Sequence, residues 1–188
     1  MGKNARNKTV LMAREFSSGG VVYKKLKNSK IPRLQTLWLV TRSSASKIYP
    51  ETYWRLPKGW IDNITPEIPG PMANGNIKAD EESLQNSALR EVREEGGVEA
   101  VIIKKIGTAK YFYIAPDKGL PAGRQGRILK FVTFYLMKHV RDLPEGFDAE
   151  TSEIAWLPFE EAYKKLSFSG EKQILKKAKE FLDQVPVV

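Results

Sequence analysis

Apolar positions change period several times along this chain, and each change marks an element. In FSSGGVVY (16–23) and LQTLWLVTR (34–42) the β-branched and aromatic content predicts two strands. The basic, turn-like KKLKNSKIPR between them predicts a hairpin with a polar loop. YWRLPKGW (53–60) is short and broken by Pro57, so it is not expected to form a buried strand. The Pro, Gly and Asn density of IDNITPEIPGPMANGNIKAD (61–80) predicts a long loop, a kind that is usually functional or mobile in compact domains. At Asp80 the period turns helical. Asp80 is the expected N-cap, Glu81 and Glu82 suit the first turn, Leu84, Ala88 and Val92 form a stripe at spacing four, and Gly96-Gly97 ends the helix.

Beyond the glycines, VEAVIIKKIG and TAKYFYIA read as strands, and PDKGLPAGRQGR reads as a second loop. KFVTFYLMKHV is apolar on both faces, which requires packed layers above and below it. IAWL is short and extended, FEEAYKKL is helical, and EKQILKKAKEFLDQV puts Ile174, Leu175, Ala178, Phe181, Leu182 and Val185 on one helix face, expected to pack on the sheet. The sum is an α/β fold, an α/β/α sandwich with a mixed sheet between helices. Residues 1–14 are expected to be a basic, flexible arm, and 15–188 a single domain with a loop insertion at 61–80.

Composition narrows the class. With 188 residues the chain is long enough for one real core, and 41% apolar with 28% charged residues is ordinary for a soluble domain. Cysteine is absent, which excludes disulfide scaffolds, thiol nucleophiles and cysteine-held metals. No apolar run is long enough to cross a bilayer, and the opening MGKNARNKTVLMAREF lacks the apolar core of a secretion signal, so a cytoplasmic protein without a membrane partner is expected. The net charge of +9 raises the expectation of a phosphate-rich partner, a nucleotide-like molecule or a nucleic acid.

The sharpest chemical signal is REVREEGGV (90–98). Helical spacing puts Glu91 and Glu95 one turn apart with Glu94 beside them, at the end of the helix where the macrodipole is negative. Such carboxylates form either a solvated acidic face, helped by Arg90 and Arg93, or a nest for a hard divalent cation, Mg²⁺ or Mn²⁺, whose charge reverses the repulsion.

Glu82, Arg90, Glu91, Val92, Glu94, Glu95, Gly97 and Val98 complete the pattern E-x7-R-E-U-x-E-E-x-G-U, where U is apolar, and this resembles the box of the Nudix hydrolases. SSGGVVY, RLPKG and EIAWLPFEEA are similar to the flanking segments of that family, so the likeness runs from Phe16 to Leu166. Asn76 stands where the family box opens with glycine, which implies an insertion between Gly59 and the helix. The resemblance implies hydrolysis of a pyrophosphate linkage in a nucleoside diphosphate joined to another group, with Mg²⁺ or Mn²⁺ as cofactor. It makes Glu91, Glu94 and Glu95 metal ligands, Glu82 an assistant to metal or water, and Arg90 the residue that holds a glutamate in place.

The resemblance implies a general base that is either a box glutamate, for which Glu91 is the first candidate, or a loop carboxylate outside the box, for which Glu150 and Glu153 are the candidates. His139, the only histidine, lies in a strand and is expected to be packed there. LPKG is similar to the diadenosine polyphosphate and diphosphoinositol polyphosphate hydrolases. That likeness assigns Lys58 and, more weakly, Arg55 to phosphate contact beside Gly59. Tyr53, Trp54, Trp60, Tyr111 and Tyr113 are candidates to stack on a base. The expected substrate is a nucleotide polyphosphate of the diadenosine tetraphosphate type. The alternatives are RNA 5′ pyrophosphohydrolysis and a non-catalytic regulator that binds nucleotide or RNA.

Overall fold

A computed structural model of the protein describes residues 13–28, 31–47, 50–61, 80–115 and 126–184. In chain order the elements are β1 (Ala13–Asn28), β2 (Ile31–Ser43), β3 (Trp54–Arg55), β4 (Lys58–Trp60), α1 (Glu81–Gly96), β5 (Val98–Ala115), β6 (Gly126–Asp142), β7 (Thr151–Leu157), α2 (Phe159–Lys165) and α3 (Ser169–Gln184). The strands build one mixed sheet with the spine β3-β2-β1-β6-β5, β4 joining β1 and β7 joining β2. β1 and β6 run parallel, and the other pairs are antiparallel.

A parallel pair at the centre of a sheet needs cover on both faces. Alternation along β1 and β6 supplies apolar groups to each. Val21, Val132, Phe134 and Leu136 pack against Ala162, Leu166, Ile174, Leu175 and Ala178 of the α2–α3 layer, while Val22, Tyr135 and Met137 pack against Ala88 and Val92 of α1. Each such side chain contributes roughly 1.5–3 kcal/mol when fully buried, so packing on the sheet holds the helices more firmly than helix propensity does. The fold is therefore the α/β/α sandwich, with β6 apolar on both faces as its sequence requires.

The small residues of β1 position the rest. A side chain at Gly20 would collide with Val92, and one at Gly19 with Pro57 and Lys58. Glycine at these two places lets α1 and the β3–β4 turn approach the same strand, and Gly20 N–H donates to the Pro57 carbonyl at 3.0 Å.

Several boundaries differ from the sequence reading. KKLKNSKIPR is largely strand: Lys24, Lys25, Leu26 and Lys27 pair with Leu37, Thr36, Gln35 and Leu34. Lys25–27 are exposed there, so a lysine-rich ribbon carries no burial cost. VEAVIIKKIG and TAKYFYIA form the single strand β5, with register shifts between Ile102 and Lys104 and between Lys105 and Gly107. YWRLPKGW contains two short strands on either side of Leu56-Pro57. Of the expected arm, Ala13 and Arg14 belong to β1 opposite Ile128 and Leu129. Residues 1–12, positions 62–79 of the expected insertion, and Val185 lie outside the described residues. Among the described residues no helix is long and apolar enough to cross a membrane.

Candidate active site

The site is built where α1 ends. Asp80 caps the start, its carboxylate accepting from Ser83 N–H at 2.7 Å. With Ala88 and Val92 committed to the sheet, helical geometry turns Glu91 and Glu95 toward the β3–β4 turn. Gly97 closes the helix in the left-handed region, φ 63°, and donates to the Arg93 carbonyl at 3.0 Å. Asp148 N–H donates to the Glu94 carbonyl and Leu143 N–H to the Gly97 carbonyl, each at 2.8 Å. Carbonyls that a helix end leaves unpaired thus tie down the segment that leads to Glu150.

Two arginines hold the carboxylates. Glu95, 3% exposed at its side chain, accepts the Arg55 guanidinium and, at 2.7 Å, the Lys58 backbone N–H. Arg90 spans the helix face. Its Nη1 lies 2.8 Å from Glu91 and 2.6 Å from Glu94, and its Nη2 donates to the Trp60 carbonyl at 2.5 Å. Gly59 lies directly against the Glu91 carboxylate. Taking such anions out of water costs several kcal/mol each unless cations and N–H donors compensate, and here both do.

Compensation is incomplete at Glu91. Burial first, then the neighbouring Glu95 and Glu94, push its carboxyl up to about 8 against the opposing pull of Arg90. Burial, then Glu95 and Asp148, also raise Glu150. Lys58 is lowered, by burial and then by Arg55, while Glu171, Glu95 and Glu91 oppose the fall. Burial alone would lower Arg55, but Glu95, Glu171, Glu150 and Glu91 together outweigh it, so its charge is secure. The Arg55 Nε has no hydrogen-bond partner among the described residues.

Beside this cluster opens a cavity of about 840 Å³. Arg55, Lys58, Gly59, Glu95 and Glu150 form its inner end, and Tyr53, Trp60, Tyr111, Tyr113 and Phe168 supply aromatic walls. Lys110 and Lys130 add positive charge, Lys130 sitting 4.6 Å from the Trp60 ring centroid. Tyr111 meets Phe168 edge-on at 5.8 Å, and Tyr53 lies 5.3 Å from the same ring.

Comparison with known proteins gives the family. The NUDIX domain family profile matches residues 28–178. The chain belongs to the NUDIX family. The mutator protein MutT4 of Mycobacterium tuberculosis is 26% identical over 132 residues, covering 70% of this chain. The match spans only 43% of that relative's length. Among solved structures, the chain resembles the NUDIX domain of Shewanella oneidensis NrtR complexed with ADP-ribose, with TM-score 0.58, 18% identity, and 95% and 94% of the two chains covered. It also resembles an Ap4A hydrolase of Caenorhabditis elegans in a binary complex, with TM-score 0.56, 20% identity, and 91% and 99% covered. A MutT protein of Methanosarcina mazei gives TM-score 0.56 at 16% identity, with 94% and 100% covered. At these identities the structures establish the Nudix fold.

Within the Nudix box the residues divide. Arg90, Glu91, Glu94 and Glu95 come together. Glu82 does not: it is exposed near the start of α1, and a rise of ~1.5 Å per residue places it roughly 13 Å along the axis from Glu91. Of the outside acids, Glu150 faces the cluster, whereas Glu153 turns to Arg42 at 3.6 Å on the surface. Lys58, Arg55, Gly59 and Tyr113 all line the cavity, although Arg55 is engaged by Glu95 and the Tyr113 hydroxyl donates to Glu15 at 2.6 Å. Trp54 instead packs on the α2–α3 core with Lys165 over its ring, and His139 pairs with Asp142 at 2.9 Å and lies edge-on to Trp156.

The sequence reading passed over Glu171, a fully buried carboxylate on α3 that accepts from Leu56 N–H at 2.7 Å and from the Tyr111 hydroxyl at 2.9 Å. Its position was legible: Glu171 is in phase with the apolar stripe Ile174, Leu175 and Ala178. Burial raises its pKa, and Lys58, the two hydrogen bonds and Arg55 oppose the rise.

The donor set suits a hard divalent cation: Glu91 and Glu95 are buried carboxylates, and the charge of Glu95 helps to raise the pKa of Glu91. Among the described residues, however, no three acidic or histidine groups converge as a ready metal cage. Arg90 bridges Glu91 and Glu94, and Arg55 draws Glu95 toward β3.

Proposed function

We propose that the protein is a Mg²⁺- or Mn²⁺-dependent Nudix pyrophosphohydrolase acting on a nucleotide polyphosphate, with dinucleoside polyphosphates of the diadenosine tetraphosphate type favoured. The observation that carries this reading is the buried Glu95, one helical turn from the buried Glu91, in the lining of a cavity that also presents Arg55, Lys58, Glu150 and aromatic walls. Glu91, Glu94 and Glu95, joined by Glu150, would hold the cation. When bound, it supplies charge neutralisation for the polyphosphate and a lower pKa for a coordinated water.

The chain's own residues do the rest. Arg90 keeps Glu91 and Glu94 aligned, and Lys58 N–H fixes Glu95. Lys58 and the guanidinium of Arg55, which line the cavity, offer cationic donors to phosphate oxygens. Glu150, which lines the cavity, and Glu91 are the candidates to take the proton of an attacking water, and both have a raised carboxyl pKa. Tyr53, Tyr111 and Phe168 offer ring faces and edges to a nucleobase. The Ap4A hydrolase among the structural neighbours agrees with a substrate of this class.

Purified protein with Mg²⁺ or Mn²⁺ is assayed for released phosphate against dinucleoside polyphosphates, ADP-ribose, nucleotide sugars, oxidised nucleoside triphosphates, inositol pyrophosphates and 5′-triphosphorylated or capped RNA. Preferred cleavage of a dinucleoside polyphosphate is the expected result. Preference for triphosphorylated RNA, falling steeply with salt, replaces the substrate assignment. Tight nucleotide binding without turnover replaces the enzyme with a regulator.

A further inference from the structure

The first turn of α3 carries an acid that reaches the β3–β4 turn. This acid, Glu171, is fully buried and spends both carboxylate oxygens on other elements: Leu56 N–H in the β3–β4 turn and the Tyr111 hydroxyl on β5. Leu56, itself fully buried, stands between Arg55 and the Pro57-Lys58-Gly59 sequence. Those residues are the ones that grip the box: Arg55 and Lys58 N–H hold Glu95, and Gly59 lies against Glu91. The Glu171 charge also acts on both Lys58 and Arg55.

A buried acid among apolar neighbours is costly unless every oxygen is paired, and a pure packing role at this position would be served by leucine. We propose that Glu171 is a positioning residue, which fixes the Arg55–Gly59 turn through Leu56 and Tyr111 and thereby sets the placement of Glu91, Glu95 and Lys58. It acts at second hand and touches neither cation nor substrate. The chemical part of this inference rests on the hydrolase reading above, whereas the mechanical part does not.

The test uses the full chain with Glu171→Ala, Glu171→Gln and Tyr111→Phe, together with Leu175→Ala, which loosens the packing of α3 while leaving the carboxylate in place. Two quantities are read besides turnover: backbone amide exchange at Leu56, Lys58 and Gly59, and Mn²⁺ affinity by calorimetry. Glu171→Ala is expected to accelerate exchange at the turn and to weaken Mn²⁺ binding and kcat by roughly 10–100-fold. Glu171→Gln, whose amide oxygen can accept from Leu56 while its nitrogen donates to Tyr111, should recover most of the exchange protection. Tyr111→Phe should fall between them. Leu175→Ala should lower Tm and leave Mn²⁺ affinity unchanged.

Unaltered exchange and Mn²⁺ affinity in Glu171→Ala would overturn the proposal, as would an equal Mn²⁺ loss in Leu175→Ala, since either makes Glu171 merely structural. If the wild-type chain neither binds Mn²⁺ nor cleaves any substrate, the hydrolase reading fails. The exchange measurement then decides alone whether Glu171 holds the turn.

Discussion

Gly59 lies against the carboxylate of Glu91 so closely that a single methyl group at position 59 would overlap both of its oxygens. The obstacle is the end of a flexible side chain, so Gly59→Ala is expected to fold and to displace Glu91. A misplacement of this size costs on the order of 10²-fold in kcat. Steady-state kinetics beside a thermal melt checks it: activity retained at near wild-type level would show that Glu91 has no fixed place in the reaction.

Stability should report on the same carboxylate. In the metal-free folded chain Glu91 keeps its proton up to about 8. Unfolded, it releases that proton in the ordinary carboxylate range. Folding therefore takes up a proton between the two values, and metal-free stability falls as pH rises through that window. Melts in chelator from about pH 5 to about pH 9 should show the decline, and Glu91→Gln should flatten part of it. Glu150 and Glu171, also raised, contribute the remainder with the same sign. Added Mg²⁺ should raise the midpoint most at the alkaline end, where the ligands are deprotonated.

The Arg55–Glu95 pair is buried at Glu95 and half-buried at Arg55. Arg55→Ala leaves Glu95 with the Lys58 N–H alone among the described residues, and the expected loss is about 3 kcal/mol in urea denaturation. Arg55→Lys should recover little of it, because an ammonium cannot reproduce the planar guanidinium fork. Full recovery by lysine would reduce the pair to simple charge balance.

Two acids close in sequence separate the candidates for the base. Glu150 faces Glu95 and Arg55 across the cavity end, while Glu153 pairs with Arg42 outside. Glu150→Gln should lower kcat by about 10²-fold or more, the scale of general acid–base assistance, and Glu153→Gln should leave it unaltered. The reverse result would require the β6–β7 segment to rearrange on substrate binding.

How much of this was readable beforehand follows from the reach of each interaction. The box helix, its Asp80 cap and its Gly97 end are local, within one or two turns of chain, and the sequence carries them fully. The two-sided core of β6 was equally plain, since apolar alternation needs no knowledge of the partner. Strand length was not plain. Lys24–Lys27 look like a loop because lysine is rare in buried strands, yet an exposed ribbon imposes no such limit. Glu171 was missed because its meaning depends on Leu56 and Tyr111, distant in sequence, although its phase with Ile174 and Ala178 marked it as buried. Grouping Glu82 with Glu91 followed the motif, and the length of the helix separates them.

The left-handed Gly97 has a further meaning. A Cβ there would come within 2.8 Å of the Gly146 backbone, so the end of α1 and the segment running on to Glu150 are locked together as one block. The wall at Tyr53 and Phe168 comes from other segments of the chain. An engineer could exchange that wall to change which molecule is accepted while the cutting end keeps its geometry, a division of labour that would let a single scaffold diversify its diet without relearning its chemistry.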